Sequence, residues 1–486
     1  MFGDGDDRAD ALLPATAPRA GSGTVGATIN LIKTCIGTGM LALPYAFVQG
    51  GFWSSPALLA IGLWNWWNAR QLVQVQDRLF GVHIGPQVSA FSAIAHAALG
   101  KYGTVTLDGT LIVILLGVCS SLQIQAAQLA SAVCAWPYVH CVVVSAAALV
   151  PLVLLRSLDR LAVISAVGLA VLFIAMVAVG AFGMERYGWP TSLPEPLLAT
   201  PSAAGFAEFF GITCFSVLAL GLEPRTSVLA LSVLCSLAVT SSCSLGLVFT
   251  CSHLLLLTSP VFEPMRGKFG VQVMILPVRE SMADRSQVSK ALAWAVGSVV
   301  AVYLVVGLTL SVLFSAADEG VEQVIILNLP SGSPTSTIVQ ATSALVAILS
   351  YPIPMMPLAE LLGAFSCCIE TDGAVPLDAT PTATASATTR LRLALLALSS
   401  CTAVAMPHFG TLAGFIGCCS VMVSNVLPPL LHLRLISWPA LSEARDERSP
   451  LATISFAVAL DACLLALGVG AMTYFTALTG AQLVLS

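Results

Sequence analysis

Charged residues are scarce in this chain of 486 residues, because Lys, Arg, Asp and Glu together make up only 9% of it, against roughly 25% in ordinary soluble domains. Hydrophobic residues account for 57%, and the mean hydropathy is +0.91. This composition requires a lipid bilayer and excludes a soluble globular protein. The sequence also has no basic stripe of the kind that follows phosphates, so we expect no nucleic-acid partner.

Patterns typical of catalytic and metal sites are missing as well. The 14 cysteines lie mostly in apolar runs, where a thiol behaves as a small hydrophobic group. The six histidines are scattered, and the sequence has no paired acids, Ser/His pair or Cys/His cluster at membrane depth. We therefore expect no cofactor, no metal and no enzymatic activity.

The N-terminal residues 1–22 are rich in Asp, Gly, Ala and Pro and contain no apolar core of a signal peptide. We interpret them as a disordered cytoplasmic tail. The membrane domain is predicted to cover 23–483. A span needs about 20 apolar residues, and the chain offers eleven candidates: 24–48, 52–72, 104–133, 138–155, 161–182, a broken segment at 204–217, 289–314, 335–364, 391–407, 409–434 and 451–483.

The positions of Lys and Arg fix the direction of these spans, since both residues concentrate in cytoplasmic loops. With a cytoplasmic N-terminus, 15 of the 20 Lys and Arg residues fall in inner loops. Eleven spans then place the C-terminus on the extracellular or lumenal side. The sequence favours a plasma membrane or a vacuolar or lysosomal membrane without choosing between them.

An apolar stretch at 226–258 does not fit this scheme. Counting it as one more span would move every later loop, with eight basic residues, to the outer side. Leu, Ser and Cys, which pyrimidine-rich DNA encodes, dominate the stretch. We interpret 218–269 as an atypical insertion, either a retained intron or a lineage-specific segment, because its removal restores one continuous sixth span.

The first span contains a motif that predicts an unwound membrane helix. It reads Thr34-Cys35-Ile36-Gly37-Thr38-Gly39, followed by Pro44. Unwound backbone at membrane depth must be buried in protein or line a cavity, and its free N–H groups together with the helix dipole attract anions. A substrate carboxylate suits such a site, whereas the alternative is that the glycines only allow close helix packing.

The sixth span is also predicted to be interrupted, with Gly211, Thr213 and Ser216 near its break. Paired interruptions are typical of inverted repeats, and five spans in each half would insert the two halves in opposite directions. The last span is then an appendage. Ser121, Gln125 and Gln128 share one face of the third span and are expected to contact substrate or to form interhelical hydrogen bonds.

Further motifs give the chain a family resemblance. They are, after the first span, Ala93-Ile94-Ala95-His96 with Leu99-Gly100-Lys101-Tyr102-Gly103, Ile275-Leu276-Pro277-Val278-Arg279-Glu280-Ser281-Met282, Leu349-Ser350-Tyr351-Pro352-Ile353-Pro354 and Asn425-Val426-Leu427-Pro428-Pro429. Together they resemble the amino acid/auxin permease family of secondary transporters over about 24–480, except 218–269. The resemblance implies an all-α, LeuT-type 5+5 inverted repeat and ion-driven amino acid transport.

The resemblance also bears on the coupling ion. Lys33 stands where sodium-coupled relatives carry an Asn, and the proton-coupled branch tends to carry lysine, so a proton is favoured over sodium. The alternative is that Lys33 only extends to the inner surface. Glu208 in the sixth span is a second candidate for ion coupling, since a buried carboxyl can take up a proton, although it could instead be an interfacial acid.

These arguments give one set of candidate residues and three functions. The expected substrate-binding residues are Thr34, Ile36, Gly37, Thr38, Gly39, Gln125, Thr213, Ser216, Ser350 and Tyr351, and the ion-coupling residues are Lys33 and Glu208. The favoured function is secondary active transport of small amino acids by alternating access. The alternatives are an amino-acid sensor without net transport, and a family member that the insertion has made inactive.

Overall fold

The computed structural model describes residues 23–79, 90–154, 161–190, 192–218, 275–276, 278–279, 282–315, 320–330, 332–370, 381–437 and 451–485. The predicted tail at 1–22 and nearly all of the predicted insertion at 218–269 lie outside these ranges. Within them the chain is almost entirely helical, which confirms the all-α prediction.

Fifteen helices account for the described architecture, with short 3-10 and π segments between some of them. They are α1 Thr24–Cys35, α2 Leu43–Gly50, α3 Ser54–Arg78, α4 Ala90–Cys134, α5 Tyr138–Val153, α6 Leu161–Tyr187, α7 Glu195–Leu198, α8 Ala203–Leu218, α9 Val288–Phe314, α10 Pro334–Ser350, α11 Pro352–Glu370, α12 Pro381–Ala405, α13 Phe409–Val421, α14 Leu427–His432 and α15 Leu451–Leu485.

Seven stretches of the described residues are helical, long and apolar enough to cross a membrane: Thr38–Arg78, Phe91–Cys134, Ala170–Tyr187, Arg285–Phe314, Pro334–Gly363, Phe409–Ser437 and Phe456–Leu485. Two shorter apolar helices, Tyr138–Val153 and Ala203–Val217, accompany them. Helix α12 matches the predicted ninth span. Seven long spans establish a polytopic architecture, and the exact number of crossings remains the sequence-based prediction of eleven.

The predicted unwinding of the first span is present in the structure. Helix α1 ends at Cys35, and Gly37 is fully extended, with φ −141° and ψ −164°. A 3-10 turn over Thr38–Ala42 then leads into α2, which has Pro44 in its first turn. We call residues Ile36–Gly39 the helix break.

The sixth span differs from the prediction. Helix α8 runs without interruption from Ala203 to Leu218, so the break expected near Gly211, Thr213 and Ser216 is wrong at those residues. The three residues lie within a regular helix. The residues that follow Leu218 lie outside the described part of the chain, so an interruption of this span stays a prediction.

The close packing of α8 explains why it contains a glycine. A Cβ added at Gly211 would overlap the carbonyl oxygen of Gly414 in α13 and would lie 2.8 Å from its Cα, and one added at Gly417 would overlap the carbonyl oxygen of Gly211. The backbones of α8 and α13 therefore touch directly. Glycine serves helix contact here, which is the alternative that sequence reasoning considered only for the first span.

The remaining helices surround this pair and the helix break. Helices α1 and α2 pack against α9, and α2 also packs against α8. Helix α4, bent at Gly100 where φ is +61°, packs against α10 and α13. The last helix, α15, lies along α8, α13 and α14.

Candidate substrate and proton site

The helix break lies directly against the end of α8. A Cβ added at Gly39 would be 2.7 Å from Ser216 Oγ and 3.2 Å from the ring of Phe215. The structure thus brings together two regions that are separated by about 180 residues in the sequence. Predicted site residues of the first and sixth spans, Gly39 and Ser216, are therefore neighbours, and their binding of one substrate stays a prediction.

Two hydroxyl side chains in the second half of α8 are buried without forming a hydrogen bond to the described residues. Thr213 and Ser216 have exposed fractions of 0% and 2%, and neither hydroxyl oxygen has a hydrogen-bond partner among the described residues. Buried hydroxyls are normally satisfied. Ser216 lies against Gly39 and Thr213 lies one turn earlier on the same helix, so the end of α8 offers unsatisfied hydroxyls to a polar ligand at the break.

The backbone of the break supplies donors. The N–H groups at the start of a helical turn have no carbonyl one turn earlier to accept from them. The Met40 N–H already donates to the Gly37 carbonyl at 3.1 Å, which leaves the N–H groups of Gly37, Thr38 and Gly39 at the start of the new turn. A Cβ added at Gly37 would meet no atom of the described residues within 4 Å, so this face of the break is open in the described part of the chain.

Tyr303 in α9 holds the two sides of the junction together. Its hydroxyl donates to the carbonyl oxygen of Cys35, at the end of α1, and lies 2.9 Å from that of Ser216 in α8. The side chain is fully buried. Sequence reasoning missed Tyr303, although a single tyrosine in an otherwise apolar span was a usable signal, since its hydroxyl needs a partner there.

Glu208 lies two turns before Ser216 on α8, within a small polar cluster. Its Oε2 accepts from the Tyr45 hydroxyl at 3.1 Å, and its Oε1 accepts from Thr411 Oγ1 at 3.1 Å. The side chain is only 4% exposed, which removes the alternative of an interfacial acid open to water. We call Tyr45, Glu208 and Thr411 the Glu208 cluster.

The Glu208 carboxyl has no cationic partner within the part of the chain that the structure describes. Among the described residues, neither Lys, Arg nor His forms an ion pair with Glu208. A buried ionised carboxylate without a cation is costly, whereas a protonated one is neutral and still hydrogen-bonded. The cluster therefore fits a carboxyl that binds and releases a proton.

The other predicted site residues have different surroundings. Gln125 is 1% exposed, and its side-chain oxygen has no partner within the described chain, so its predicted role stays open. Ile36 is buried and Thr38 half-buried in the break. The side chains of Lys33 and Thr34, in the last turn of α1, lie outside the described residues.

Tyr351 belongs to a separate polar network. Its hydroxyl lies 2.5 Å from Ser399 Oγ in α12, and Ser399 in turn donates to the side-chain oxygen of Gln123 at 3.1 Å. Ser350 is half-buried beside it. No described hydrogen bond joins this network to the helix break, so the predicted contact of Ser350 and Tyr351 with substrate stays a prediction.

A comparison with known protein families gives a match over most of the chain. A family model described as transmembrane amino acid transporter protein matches residues 20–216 and 268–479. Among curated proteins no significant match was found.

Two solved structures give further, distant similarities. A Na⁺-coupled sialic acid symporter in a substrate-bound, outward-open state has a TM-score of 0.47 and 10% sequence identity, over 93% of this chain and 89% of its own. A manganese transporter of Eremococcus coleocola, in complex with an aromatic bis-isothiourea compound, has a TM-score of 0.37 and 11% identity, over 94% of each chain.

Proposed function

Because the chain belongs to the transmembrane amino acid transporter family, as an integral multi-pass membrane protein, we propose that it is a proton-coupled secondary transporter of small amino acids. The observation that carries this proposal is the contact between the helix break and the buried Ser216 hydroxyl of α8, which has no hydrogen-bond partner among the described residues. We further propose eleven spans in a LeuT-type 5+5 arrangement, with the last helix outside the repeat.

The binding mode follows from the chemistry of the two sides. The substrate carboxylate accepts from the N–H groups of Gly37 to Gly39, where the helix dipole also favours a negative charge. The substrate ammonium donates to the Thr213 and Ser216 hydroxyls. Since Ser216 and the Phe215 ring lie against Gly39, the space beside the break favours a short side chain.

Alternating access requires the helix break and α8, which form the two sides of the site, to move relative to the other helices of the bundle. The break provides a flexible joint in the first span, and Tyr303 links α1 and α8 to α9. The excess of Lys and Arg in loops of one side supports a cytoplasmic N-terminus. Under this orientation, Glu208 lies nearer the outer side than Ser216 does.

We assign the coupling proton to Glu208, and this assignment gives a first test. In proteoliposomes, one pH unit across the membrane is worth about 1.4 kcal/mol per proton, or about tenfold in the accumulation ratio. Uptake of radiolabelled alanine, glycine and serine by the wild type is expected to follow the imposed pH gradient, and Glu208→Gln is expected to abolish that response. Glutamine keeps one acceptor oxygen, and its NH2 group can donate to the hydroxyl that loses its acceptor, but it cannot exchange a proton.

The matched control is Glu322→Gln, which removes an exposed acid and should leave the gradient response intact. Gradient-driven uptake by Glu208→Gln at the wild-type level would remove Glu208 from the mechanism. Substrate binding without any uptake in the wild type would favour the sensor.

The segment 218–269 is proposed to be an insertion into an otherwise complete sixth span. The family match, which ends at residue 216 and resumes at 268, supports this proposal. We expect the native transcript, sequenced across codons 200–285, to exist in a form without the segment. A transcript that always contains it would make the insertion a permanent feature of this protein.

A further inference from the structure

A second buried acid, Asp108, lies in α4 shortly after the bend of that helix. At Gly100 φ is +61° and ψ is −149°, so the chain reverses there, and residues 90–99 fold back along the segment that follows. A Cβ added at Gly103 would lie 2.5 Å from the carbonyl oxygen of Ala95, whereas eight residues span about 12 Å in a straight helix. We call residues 90–99 the folded arm.

The folded arm packs against the bundle through apolar side chains and brings one hydroxyl to the acid. Phe91, Ile94 and Ala98 belong to the hydrophobic core and are no more than 5% exposed. Between them, Ser92 is fully buried, and its Oγ donates to Asp108 Oδ2 at 3.4 Å. Asp108 is itself only 8% exposed. The arm and the third span therefore enclose a carboxyl group.

This carboxyl lacks both hydrogen-bond donors and a compensating charge. The bond from Ser92 is long, and Asp108 Oδ1 is shielded from solvent without a partner among the described residues. Within the same part of the chain, no Lys, Arg or His forms an ion pair with Asp108. An ionised carboxylate in a buried site is costly unless a cation compensates it.

Thr104 supplies a second unsatisfied oxygen on the same face of α4, one turn before Asp108. Its Oγ1 is buried and has no partner among the described residues. A threonine hydroxyl in a helix commonly donates to the carbonyl four residues earlier, as Thr110 does to Thr106 at 2.7 Å. For Thr104 that carbonyl belongs to Gly100, where the helix reverses, so the bend removes the ordinary acceptor.

The chemistry of these oxygens favours a cation over a proton or a water molecule alone. A proton on Asp108 Oδ2 would remove the charge, but Oδ1 and Thr104 Oγ1 would still have no partner. A water molecule could bridge the oxygens, but the charge would remain uncompensated. A hard cation does both, since it binds carboxylate and hydroxyl oxygens and neutralises the carboxylate.

The single carboxylate also sets the charge of the cation. A divalent ion would leave one uncompensated positive charge in a buried site, which is costly. In the described part of the chain, no group of three His, Cys, Asp or Glu side chains could hold a metal ion, whereas transition metals are bound by such groups. An alkali ion needs only oxygen ligands, so the missing Cys and His patterns do not bear on it.

We propose that Asp108, Ser92 and Thr104 bind a monovalent metal cation, Na⁺ or K⁺, which fastens the folded arm to the third span. With a cytoplasmic N-terminus, the arm lies on the inner side, so the site takes its ion from the cytoplasm. Loss of the ion leaves the carboxylate uncompensated and loosens the arm. The site is separate from the coupling proton that we assign to Glu208.

The test is the thermal unfolding midpoint of the purified full-length protein in lipid nanodiscs. NaCl or KCl replaces N-methyl-D-glucamine chloride stepwise, at a constant total salt concentration of about 0.2 M. An ion that binds only the folded protein raises the midpoint with its concentration until the site is saturated. We expect Na⁺ or K⁺ to raise the midpoint by about 2–4 °C, relative to N-methyl-D-glucamine, which is too large for the site.

Two variants assign this response to the proposed ligands. Asp108→Asn keeps the size of the side chain and removes its charge, so it is expected to lose the response. Thr104→Val replaces one hydroxyl by a methyl group and is expected to need roughly tenfold more cation for the same shift, as for the loss of one ligand. Glu322→Gln, which removes an exposed acid, should respond as the wild type does.

Three results would overturn the proposal. The first is a wild-type midpoint that is the same in Na⁺, K⁺ and N-methyl-D-glucamine, which needs no variant to observe. The second is a response that persists unchanged in Asp108→Asn, and the third is a Thr104→Val protein with the cation affinity of the wild type. Because the readout is unfolding and not uptake, none of these results depends on the transport proposal.

Discussion

Gly37→Val is expected to reduce amino acid uptake more than about tenfold, a loss of at least 1.4 kcal/mol of substrate binding, while the protein stays folded. The added methyl groups would occupy the open face of the helix break, where we place the substrate carboxylate. Gly37 has an extended backbone that valine also adopts, and a Cβ there meets nothing within 4 Å. The substitution therefore fills the site without straining the fold.

The measurements are initial uptake in proteoliposomes and the thermal unfolding midpoint of the same preparation. Gly37→Ala serves as the graded control and should have an intermediate effect on uptake, since it adds one methyl group. Wild-type uptake by Gly37→Val would exclude the break as the carboxylate site. Reduced uptake together with a lowered midpoint would point to a structural role for Gly37 instead.

Gly211→Ala and Gly417→Ala are expected to have the largest effects on stability in this chain. In each case the new methyl group would overlap a backbone carbonyl of the facing helix, and backbone cannot move aside as a side chain can. Overpacking of a core typically lowers the free energy of unfolding by about 1–3 kcal/mol. Because the new methyl groups would contact backbone, we expect both substitutions to cost about 3 kcal/mol or more. Yield of folded protein and the thermal midpoint should both fall.

Gly297→Ala in α9 is the matched control. A Cβ there has nothing within 4 Å, so the change is expected to stabilise the helix by about 0.5–1 kcal/mol, because alanine loses less backbone freedom than glycine. A lower stability of Gly211→Ala together with a higher stability of Gly297→Ala would support direct contact between the backbones of α8 and α13. Gly211→Ala protein as stable as Gly297→Ala would show that α8 and α13 do not touch as described.

The sequence was informative where local chemistry decides the structure. Two glycines and a following proline in one apolar span specify an unwound segment almost by themselves, and the structure has it at Ile36–Gly39. The sequence alone did not show whether Glu208 is buried, because its burial depends on which helices pack around it. An acid in an apolar helix predicts that a polar partner exists, but not which helix supplies it.

The sequence was misleading where one residue type can have two structural roles. Glycine in a membrane helix is compatible with unwinding and with close contact, and Gly211 proved to serve contact because α13 places its own glycines opposite. The partners of Glu208 could not be predicted either, since helices that are apolar all round carry almost no periodic signal of which face turns inward. The rotation of each helix is set by packing.

The Tyr303 hydroxyl carries a consequence for movement within the bundle. It has one hydrogen and two carbonyl acceptors, those of Cys35 and Ser216, so it cannot satisfy both fully at the same time. The two bonds therefore compete, and any change in spacing between α1, α8 and α9 that strengthens one of them weakens the other.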